Sequence, residues 1–527
     1  MREIESTLPA LGPASSEPKL IVPSAEPSAG TSSDDDDSPR VRVAAFVISG
    51  VHVFDDATLQ SLLRDLEQTD QDLDGLRAAT ARITDYYRRH GYLLARAYLP
   101  PQGVEDGKVK IIVLEGVYDG VAIDNNSRVQ DSVLRRMLAP LKAGQAVHLE
   151  ELDDRLARIN DLPGLNIQGT LRPGSLPGST ELLLQAEPGP LISGSVDADN
   201  FGGYYTGEYR LSGSLNLNNP LRLGDQLNLR VLGSDKKQRY YHAAYQIPFG
   251  PSATKLGVSV SEMRYELGRD FSILEANGQA RISTLFIQHP WLRGRSLSLQ
   301  TQLQYEDKSM RDNMDVFGIS NRKRIGLWTL SVNGTAEDAW LGGGRSAAYL
   351  SYSTGNLRFG DSNSRTGDRF YKRAAGAFSK ANLTLLRLQN LPGPFLFHGL
   401  ITGQLPSKNL DSSEQFSLGG PYGVRAFPNG AGSGDKGWQA TAELRYMPAP
   451  GWQMAMFVDK GGVRINKRSW TRETSGVQLG AYGVSLTQAG PQHQITLTAA
   501  WPMQVRNYQP DGPKREPRMW LQATRIF

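Results

Sequence analysis

Polar and apolar side chains alternate along much of the second half of the chain, and few folds accommodate such a pattern. In the segment 296–305, three leucines and a tyrosine fall on odd-numbered positions, and serines and glutamines fall on even-numbered ones. A period of two residues is typical of a β-strand that has one apolar and one polar face. Because residues 189–527 contain no helical period of useful length, we predict that this part of the chain consists of strands.

Sixteen such segments can be counted between residue 190 and the end of the chain. Short turns with proline or glycine alternate with longer polar insertions, among them 306–324 and 355–373. An even number of strands, joined by alternately short and long connections, is typical of an outer-membrane barrel. We therefore predict a 16-stranded antiparallel transmembrane β-barrel over residues 189–527, wide enough to leave an aqueous lumen unless something fills it.

The composition excludes several other classes of protein. The chain has no cysteine, which excludes disulfides and thiolate chemistry. Its net charge of +4 over 527 residues does not indicate a nucleic-acid-binding protein. No stretch approaches the roughly 18–20 apolar residues of a membrane-spanning helix. The seven histidines are scattered, and the G-x-G-x-x-G at 432–437 precedes a strand pattern rather than the helix of a dinucleotide site. We predict no enzymatic activity, no catalytic residues, no cofactor and no metal.

Residues 1–40 are rich in serine, proline and alanine and include the acidic run Asp34–Asp37. Such a composition cannot bury enough apolar surface to order the chain, so we predict a disordered linker. Binding of a basic partner or a metal by the acidic run is the alternative. The first ten residues lack the basic start and apolar core of a signal peptide. Taken alone, this predicts a cytoplasmic protein, unless the numbering begins at a mature start.

Residues 41–188 contain two copies of one unit with the order β-α-α-β-β. In each copy an apolar opening segment precedes two stretches whose apolar residues are three or four positions apart, which predicts two helices. Two short strands then close the copy. We predict two tandem α+β modules, 41–117 and 118–188. A single larger α+β domain is the alternative.

Three stretches of the chain resemble one family of bacterial proteins. Residues 86–116 are similar to the end of a first POTRA module, and residues 417–446 are similar to the long loop that folds back into the pore in the BamA-related superfamily. Residues 456–463, MFVDKGGV, contain the F-x-D strand motif of the same proteins. With two modules before a 16-stranded barrel, the chain resembles the TpsB transporters of two-partner secretion, such as the haemagglutinin and haemolysin exporters.

The resemblance implies a latch between the pore loop and the barrel wall. The family pattern V-R-G-[YF] at the loop tip reads Val424, Arg425, Ala426 and Phe427, with alanine in place of glycine. The resemblance implies that Arg425 pairs with Asp459 of the strand motif that begins at Phe457. A guanidinium group suits this role because it donates two parallel hydrogen bonds to a carboxylate. The alternative is that both residues are ordinary solvated charges of the pore.

The resemblance also implies that the POTRA modules bind the client. A three-stranded sheet has exposed edges, to which an extended chain can add a strand by backbone hydrogen bonds. In the second module we expect the strand 165–172 and the helix before it to form this surface. The candidate residues are Leu165, Ile167, Gly169, Leu171, Leu152 and Leu156. The alternative is that these residues form only the core of the module.

We therefore predict a protein of the bacterial outer membrane that secretes one large unfolded TpsA-type exoprotein, with its POTRA modules in the periplasm. We expect a monomeric pore that contacts outer-membrane lipid. Phe527 ends the last strand as in barrel-assembly signals, so the barrel-assembly machinery is an expected partner in biogenesis. The resemblance also implies an N-terminal helix that plugs the barrel, and only residues 2–8 could begin such a helix. This helix is truncated, forms only when held in the lumen, or is missing. A BamA-like assembly factor and a passive porin are the alternative functions.

Overall fold

The computed structural model describes residues 19–21, 40–469, 476–510 and 512–527. The chain divides into two compact units, one that ends at Gly189 and one whose barrel begins after it at Pro190. The plug helix considered for residues 2–8, and most of the linker 1–40, lie outside the described residues. Within the described ranges, no helix is long and apolar enough to cross a membrane.

The first unit contains two modules of the same topology. The first described strand is β1 (Lys19–Ile21), and the first module follows with β2 (Val41–Arg42), β3 (Ala45–Ser49), α1 (Asp56–Ser61), a 3-10 turn (Arg64–Leu66), β4 (Asp70–Gln71), α2 (Leu73–Arg89), β5 (Arg96–Tyr98) and β6 (Lys108–Leu114). The second module consists of β7 (Val117–Asn125), α3 (Asp131–Leu138), α4 (Leu149–Asn160), β8 (Leu165–Pro173) and β9 (Ser179–Pro188). In both sheets the last strand lies in the centre, parallel to the first strand and antiparallel to the second. The predicted β-α-α-β-β repeat is confirmed.

A buried carboxylate organises the first module, and it explains part of the motif at 86–116. Glu115 is buried and accepts hydrogen bonds from the Tyr87 hydroxyl at 2.7 Å and from the backbone N–H groups of His52 and Val53 at 2.7 and 2.9 Å. Burial, followed by the hydrogen bond to Glu115, raises the pKa of Tyr87 far above its usual range. The tyrosine therefore remains a proton donor, and the contact fixes α2 to the end of β6.

Sixteen strands of the second unit form a closed antiparallel barrel, as predicted. They are β10 (Ile192–Asp199), β11 (Arg210–Asn218), β12 (Gln226–Ser234), β13 (Arg239–Phe249), β14 (Thr254–Glu266), β15 (Ala276–Arg293), β16 (Leu297–Met314), β17 (Ile319–Asp338), β18 (Gly344–Phe359), β19 (Gly376–Asn390), β20 (Phe395–Pro406), β23 (Lys436–Ala449), β24 (Trp452–Arg464), β25 (Gly476–Gly490), β26 (His493–Arg506) and β27 (Arg518–Ile526). Two further strands, β21 (Phe416–Ser417) and β22 (Ser433–Gly434), pair with each other in the connection between β20 and β23. Each of the sixteen alternating segments corresponds to one barrel strand.

The two polar insertions differ from the sequence prediction. Most of 306–324 continues β16 and β17, which form a long hairpin around a 3-10 turn (Asp315–Phe317). In 355–373, β18 continues to Phe359 and a helix, α5 (Ser362–Phe370), follows, so part of this polar insertion is helical. The Asp361 side chain caps this helix by accepting from the Ser364 N–H at 2.7 Å. Every residue of α5 is at least partly exposed, so the sequence carries no apolar period that would predict it.

The alternation of the strands separates a lipid-facing from an inward-facing surface. On β24, Met454, Met456 and Val458 are among the exposed large apolar side chains of the barrel, whereas Phe457 and Asp459 are buried. Apolar residues on the outside and polar residues inside are the arrangement expected of a transmembrane barrel. The F-x-D motif therefore presents both of its named residues to the lumen.

Candidate functional site

The candidate site is the pore loop, which we define as residues 407–435 between β20 and β23. It is the longest described connection of the barrel, and a 3-10 turn (Ser412–Glu414) lies near its start. Loop side chains such as Leu418, Val424 and Phe427 are buried against wall residues of β24 and β25, which include Val477 and Leu479. The pore loop therefore lies on the inner wall of the barrel.

Arg425 at the loop tip forms a bidentate ion pair with Asp459. Its Nε donates to Asp459 Oδ2 at 2.9 Å and its Nη2 donates to Asp459 Oδ1 at 2.9 Å. The Arg425 backbone N–H also donates to Oδ2 at 3.1 Å, and the Thr441 hydroxyl donates to Oδ1 at 2.9 Å. The Asp459 side chain is 1% exposed, so its charge depends on these donors rather than on water.

Three further contacts hold the same arginine. Its Nη1 donates to Glu443 Oε2 on β23 at 3.0 Å, and Glu443 also accepts from Arg445 Nε at 2.8 Å. The guanidinium carbon lies 3.2 Å from the centre of the Phe457 ring, which places a cation over an aromatic face. The Arg425 carbonyl accepts from Trp520 Nε1 on β27 at 2.7 Å. We name the set Arg425, Glu443, Phe457 and Asp459 the tip cluster.

The backbone of the loop tip tolerates alanine where the family pattern has glycine. Ala426 is buried and keeps a negative φ, so its conformation does not require glycine. Gly423 is different, because a Cβ atom there would lie 2.0 Å from the carbonyl oxygen of Leu418. The tight approach that needs glycine is thus two residues before Arg425.

A second charged cluster holds the start of the pore loop. Glu414 is fully buried and lies 2.5 Å from Lys380 Nζ on β19 and 3.0 Å from Lys308 Nζ on β16. Lys308 is also 3.6 Å from Glu306, so two cations face two anions. We name Glu306, Lys308, Lys380 and Glu414 the root cluster. It anchors the loop to strands well away from β24 in the barrel order, so the loop is attached at two separate parts of the wall.

The residues of the G-x-G-x-x-G stretch serve the same loop. Asp435 is fully buried, and its side chain accepts from the Leu410 and Lys467 backbone N–H groups at 3.2 and 2.9 Å and from Gln415 Nε2 at 2.9 Å. The stretch then continues directly into β23. Asp435 therefore ties the end of the pore loop to its start.

The candidate client-binding residues are placed differently. Leu165, Ile167 and Leu171 of β8, and Leu152 and Leu156 of α4, are all buried in the second module. Gly169 has the same inward orientation on β8. These side chains face the module core, as the alternative has it for each residue, and client binding by this strand and helix stays a prediction. The backbone edge of β8 remains the predicted contact.

Sequence reasoning missed the rest of the anchoring groups. Glu443 could have been found, because it lies at an inward position of the strand that follows the loop, two residues after Thr441. Lys308 and Lys380 carry no comparable signal, since they are separated from Glu414 by 106 and 34 residues.

Comparisons with known proteins agree with this geometry. Residues 178–483 match the family described as haemolysin secretion/activation protein ShlB/FhaC/HecB, and residues 41–116 match the POTRA domain of ShlB type. The heme/hemopexin transporter protein HuxB of Haemophilus influenzae is 27% identical over 482 residues, which cover 89% of this chain and 84% of HuxB. The outer membrane transporter CdiB of Dickeya dadantii is 26% identical over 444 residues, which cover 81% and 77% of the two chains.

Solved structures show the same fold. CdiB from Escherichia coli has a TM-score of 0.76 at 21% identity, with 95% of this chain and 92% of that chain covered. CdiB from Acinetobacter baumannii has a TM-score of 0.65 at 19% identity, with 94% and 91% covered.

POTRA modules followed by a closed 16-stranded barrel with an internal loop define an outer-membrane transporter of the two-partner secretion type. The chain belongs to the ShlB/FhaC/HecB family of haemolysin secretion/activation proteins. It is thus a protein of the outer membrane whose barrel secretes a partner exoprotein.

Replacing Arg425 with methionine should loosen the loop tip. The change leaves Asp459 and Glu443 buried without the guanidinium, and breaking a buried ion pair typically costs about 3–5 kcal/mol. We expect faster hydrogen exchange of the backbone amides of 418–432, measured by mass spectrometry on the full chain. The exposed Arg358→Met on β18 is the matched control and should leave the exchange unchanged. Unchanged exchange in Arg425→Met would contradict the anchoring role.

Replacing Glu414 with glutamine should destabilise the barrel. The change removes one of the two anions of the root cluster and leaves Lys308 and Lys380 buried with too little negative charge, at an expected cost of about 3–5 kcal/mol. We expect a lower midpoint of thermal unfolding in detergent. Glu337→Gln, at a half-exposed carboxylate on β17, makes the same chemical change without this effect. Equal midpoints for the two variants would show that the root cluster does not stabilise the fold.

Proposed function

We propose that the chain secretes its exoprotein in an extended form, which docks on the POTRA modules and then threads the barrel once the pore loop is displaced. The observation that carries this proposal is the bidentate pair of Arg425 and Asp459 between the loop tip and the wall. A loop held by such a pair blocks part of the lumen, and its tip would have to leave the wall for an extended chain to pass. In this proposal the tip cluster is the latch of the transporter.

The backbone edges of the two module sheets would bind the client. The inward side chains of β8 are buried, so an extended segment would gain affinity from hydrogen bonds to the backbone rather than from these leucines. Such binding tolerates many sequences, as a transporter of a long unfolded chain requires. It also leaves the client extended, the form that a pore can admit.

The latch needs to be strong enough to hold and weak enough to open. When Arg425 leaves, Glu443 keeps Arg445 and Asp459 keeps the Thr441 hydroxyl, so the remaining groups are partly satisfied. The cost of release is therefore below that of stripping every partner from a buried carboxylate. The root cluster keeps its own contacts in this step, so the loop stays attached at its start while the tip moves.

Folding of the exoprotein outside the cell would bias the movement. The stretch at 432–437 forms the end of the pore loop and the start of β23 instead of a phosphate-binding turn before a helix. Each segment that folds outside cannot return through the pore, so folding free energy makes the transfer directional. This mechanism requires no cofactor.

The first and last strands of the barrel pair directly and close it, although this is the shortest pairing between neighbouring barrel strands. Five residue pairs join β10 to β27, from Ser195↔Ile526 to Asp199↔Gln522. Two reciprocal backbone hydrogen bonds between Gly194 and Phe527, at 2.9 and 3.0 Å, extend this pairing to the last residue. The presence of two modules, rather than the strength of this seam, argues against a factor that inserts other barrels.

The domain boundaries, the membrane contact and the oligomeric state complete the proposal. We propose a linker over residues 1–40, POTRA modules over 41–117 and 118–188, and a barrel over 189–527. The exposed apolar surface of the barrel would contact outer-membrane lipid, and the barrel-assembly machinery would insert it. Because one barrel encloses the pore and its loop, the functional unit would be a monomer.

A disulfide between the loop and the wall should stop export. A Cβ atom on Gly461 of β24 would lie 2.6 Å from a methyl group of Leu418 in the loop, so cysteines at these two positions are close neighbours. The chain has no other cysteine, so Leu418→Cys with Gly461→Cys can form only this bond within one chain. We expect the oxidised double variant to lose secretion of the exoprotein into the medium and a reductant to restore it.

The two single variants are the controls for this experiment, and they should secrete equally with and without reductant. Full secretion by the oxidised, demonstrably cross-linked double variant would overturn the proposal, because the client would then pass without displacement of the loop.

A further inference from the structure

The sheet of the second module has four strands in the structure, although its own segment of chain supplies three. The order is β1-β8-β9-β7, and β1 is formed by Lys19–Ile21 of the N-terminal segment. It pairs in parallel with β8 in the register Lys19↔Gln168, Leu20↔Gly169 and Ile21↔Thr170. Without β1, β8 would be an edge strand with unpaired backbone groups. The edge predicted to receive the client is thus occupied by the chain itself.

The sequence of this segment suits a short added strand. Within residues 1–40, Leu20, Ile21 and Val22 are the only consecutive large aliphatic residues, and two of them are β-branched. Pro18 and Pro23 bracket the run. A proline disfavours the helical conformation of the residue before it and cannot donate a hydrogen bond, so these two residues restrict both the conformation and the length of the strand.

We propose that Lys19–Ile21 is an internal occupant of the β8 edge, which an extended client segment must displace. The inference rests on the proposed function, because it takes the client to bind by strand addition. It adds that the client segment runs parallel to β8, in the direction of β1, and that the resting transporter guards this edge against non-client chains.

Such an occupant can be weak and still effective. Three paired residues contribute few hydrogen bonds, but the segment belongs to the same chain, and a tether within one chain gives an effective concentration of the order of millimolar. Residues 22–39 connect it to the first module, and this length of extended chain reaches about 60 Å. A client with more residues for the same edge would win this competition, whereas a short chance sequence would not.

The first module provides an internal comparison. Its β5 corresponds to β8, because both are the second strand of the repeat and pair antiparallel with the central strand. In the described part of the chain, the sheet order is β3-β6-β5, so the outer edge of β5 has no added strand. The occupied edge is thus specific to the second module.

The test traps a strand on the edge through a disulfide. The probe is a synthetic peptide of residues 15–26 with cysteine in place of Lys19, which represents an extended segment in trans. The acceptor is the full chain in detergent with Gln168→Cys, since strands in register are about 4.8 Å apart and allow a disulfide. The measured quantity is the yield of mixed disulfide, normalised to the yield with the unfolded chain.

We expect a low yield when the N-terminal segment is native and a several-fold higher yield after Lys19→Pro with Leu20→Pro. Parallel pairing uses the N–H groups of alternate residues, so two adjacent prolines remove the donor whichever residue faces β8. Ser32→Pro with Ser33→Pro is the matched control in the same linker and should leave the yield low.

An acceptor at Arg172→Cys tests the register. Arg172 is exposed on β8 but four residues beyond Gln168, which is about 13 Å along a strand and out of reach of the same disulfide. Equal yields at Gln168→Cys with and without the prolines would overturn the occupancy, and equal yields at both acceptors would overturn the register. No exoprotein enters this experiment, so its failure leaves the test of export by the loop disulfide unaffected.

Discussion

A carboxylate that is almost fully buried in the wall of a barrel needs a cation, and here the cation belongs to a loop. Asp459 is 1% exposed and receives both branches of the Arg425 guanidinium. Neither group can leave the other without exposing an unpaired charge or recruiting water. The position of the loop tip is thus tied to the electrostatics of one strand. In the proposed mechanism, this coupling distinguishes a closed barrel from one in which the loop tip has left the wall.

The root cluster makes the loop a hinged element rather than a free one. Glu414 between Lys308 and Lys380 fixes the start of the loop to β16 and β19, and Asp435 ties the end of the loop back to that start. In the proposed mechanism, movement is therefore confined to the tip, where Arg425 lies. A comparable arrangement holds in the second module, where a short segment of the chain occupies the edge of β8. Both sites are filled by parts of the same chain, which in our proposals a client replaces.

The sequence predicts those features that have a local signature. The sixteen strands are visible because the two-residue period survives wherever one face meets lipid, but the ends of β16 and β17 are polar on both faces, so the period disappears there. The pairing of Arg425 with Asp459 came from resemblance to a family rather than from spacing. The root cluster had no such signal, because its partners are far apart in sequence. The buried leucines of β8 and α4 show that apolar periodicity identifies a core and does not distinguish it from a binding surface.

The most direct test of the latch is the single-channel conductance of the full chain in planar bilayers, with Arg425→Ala, Asp459→Ala and the exposed control Arg358→Ala measured under the same conditions. We expect the wild type and Arg358→Ala to be mostly closed, and Arg425→Ala and Asp459→Ala to open or flicker alike, because each removes one half of the same ion pair. Steady conductance of the wild type that neither tip variant changes would contradict the latch.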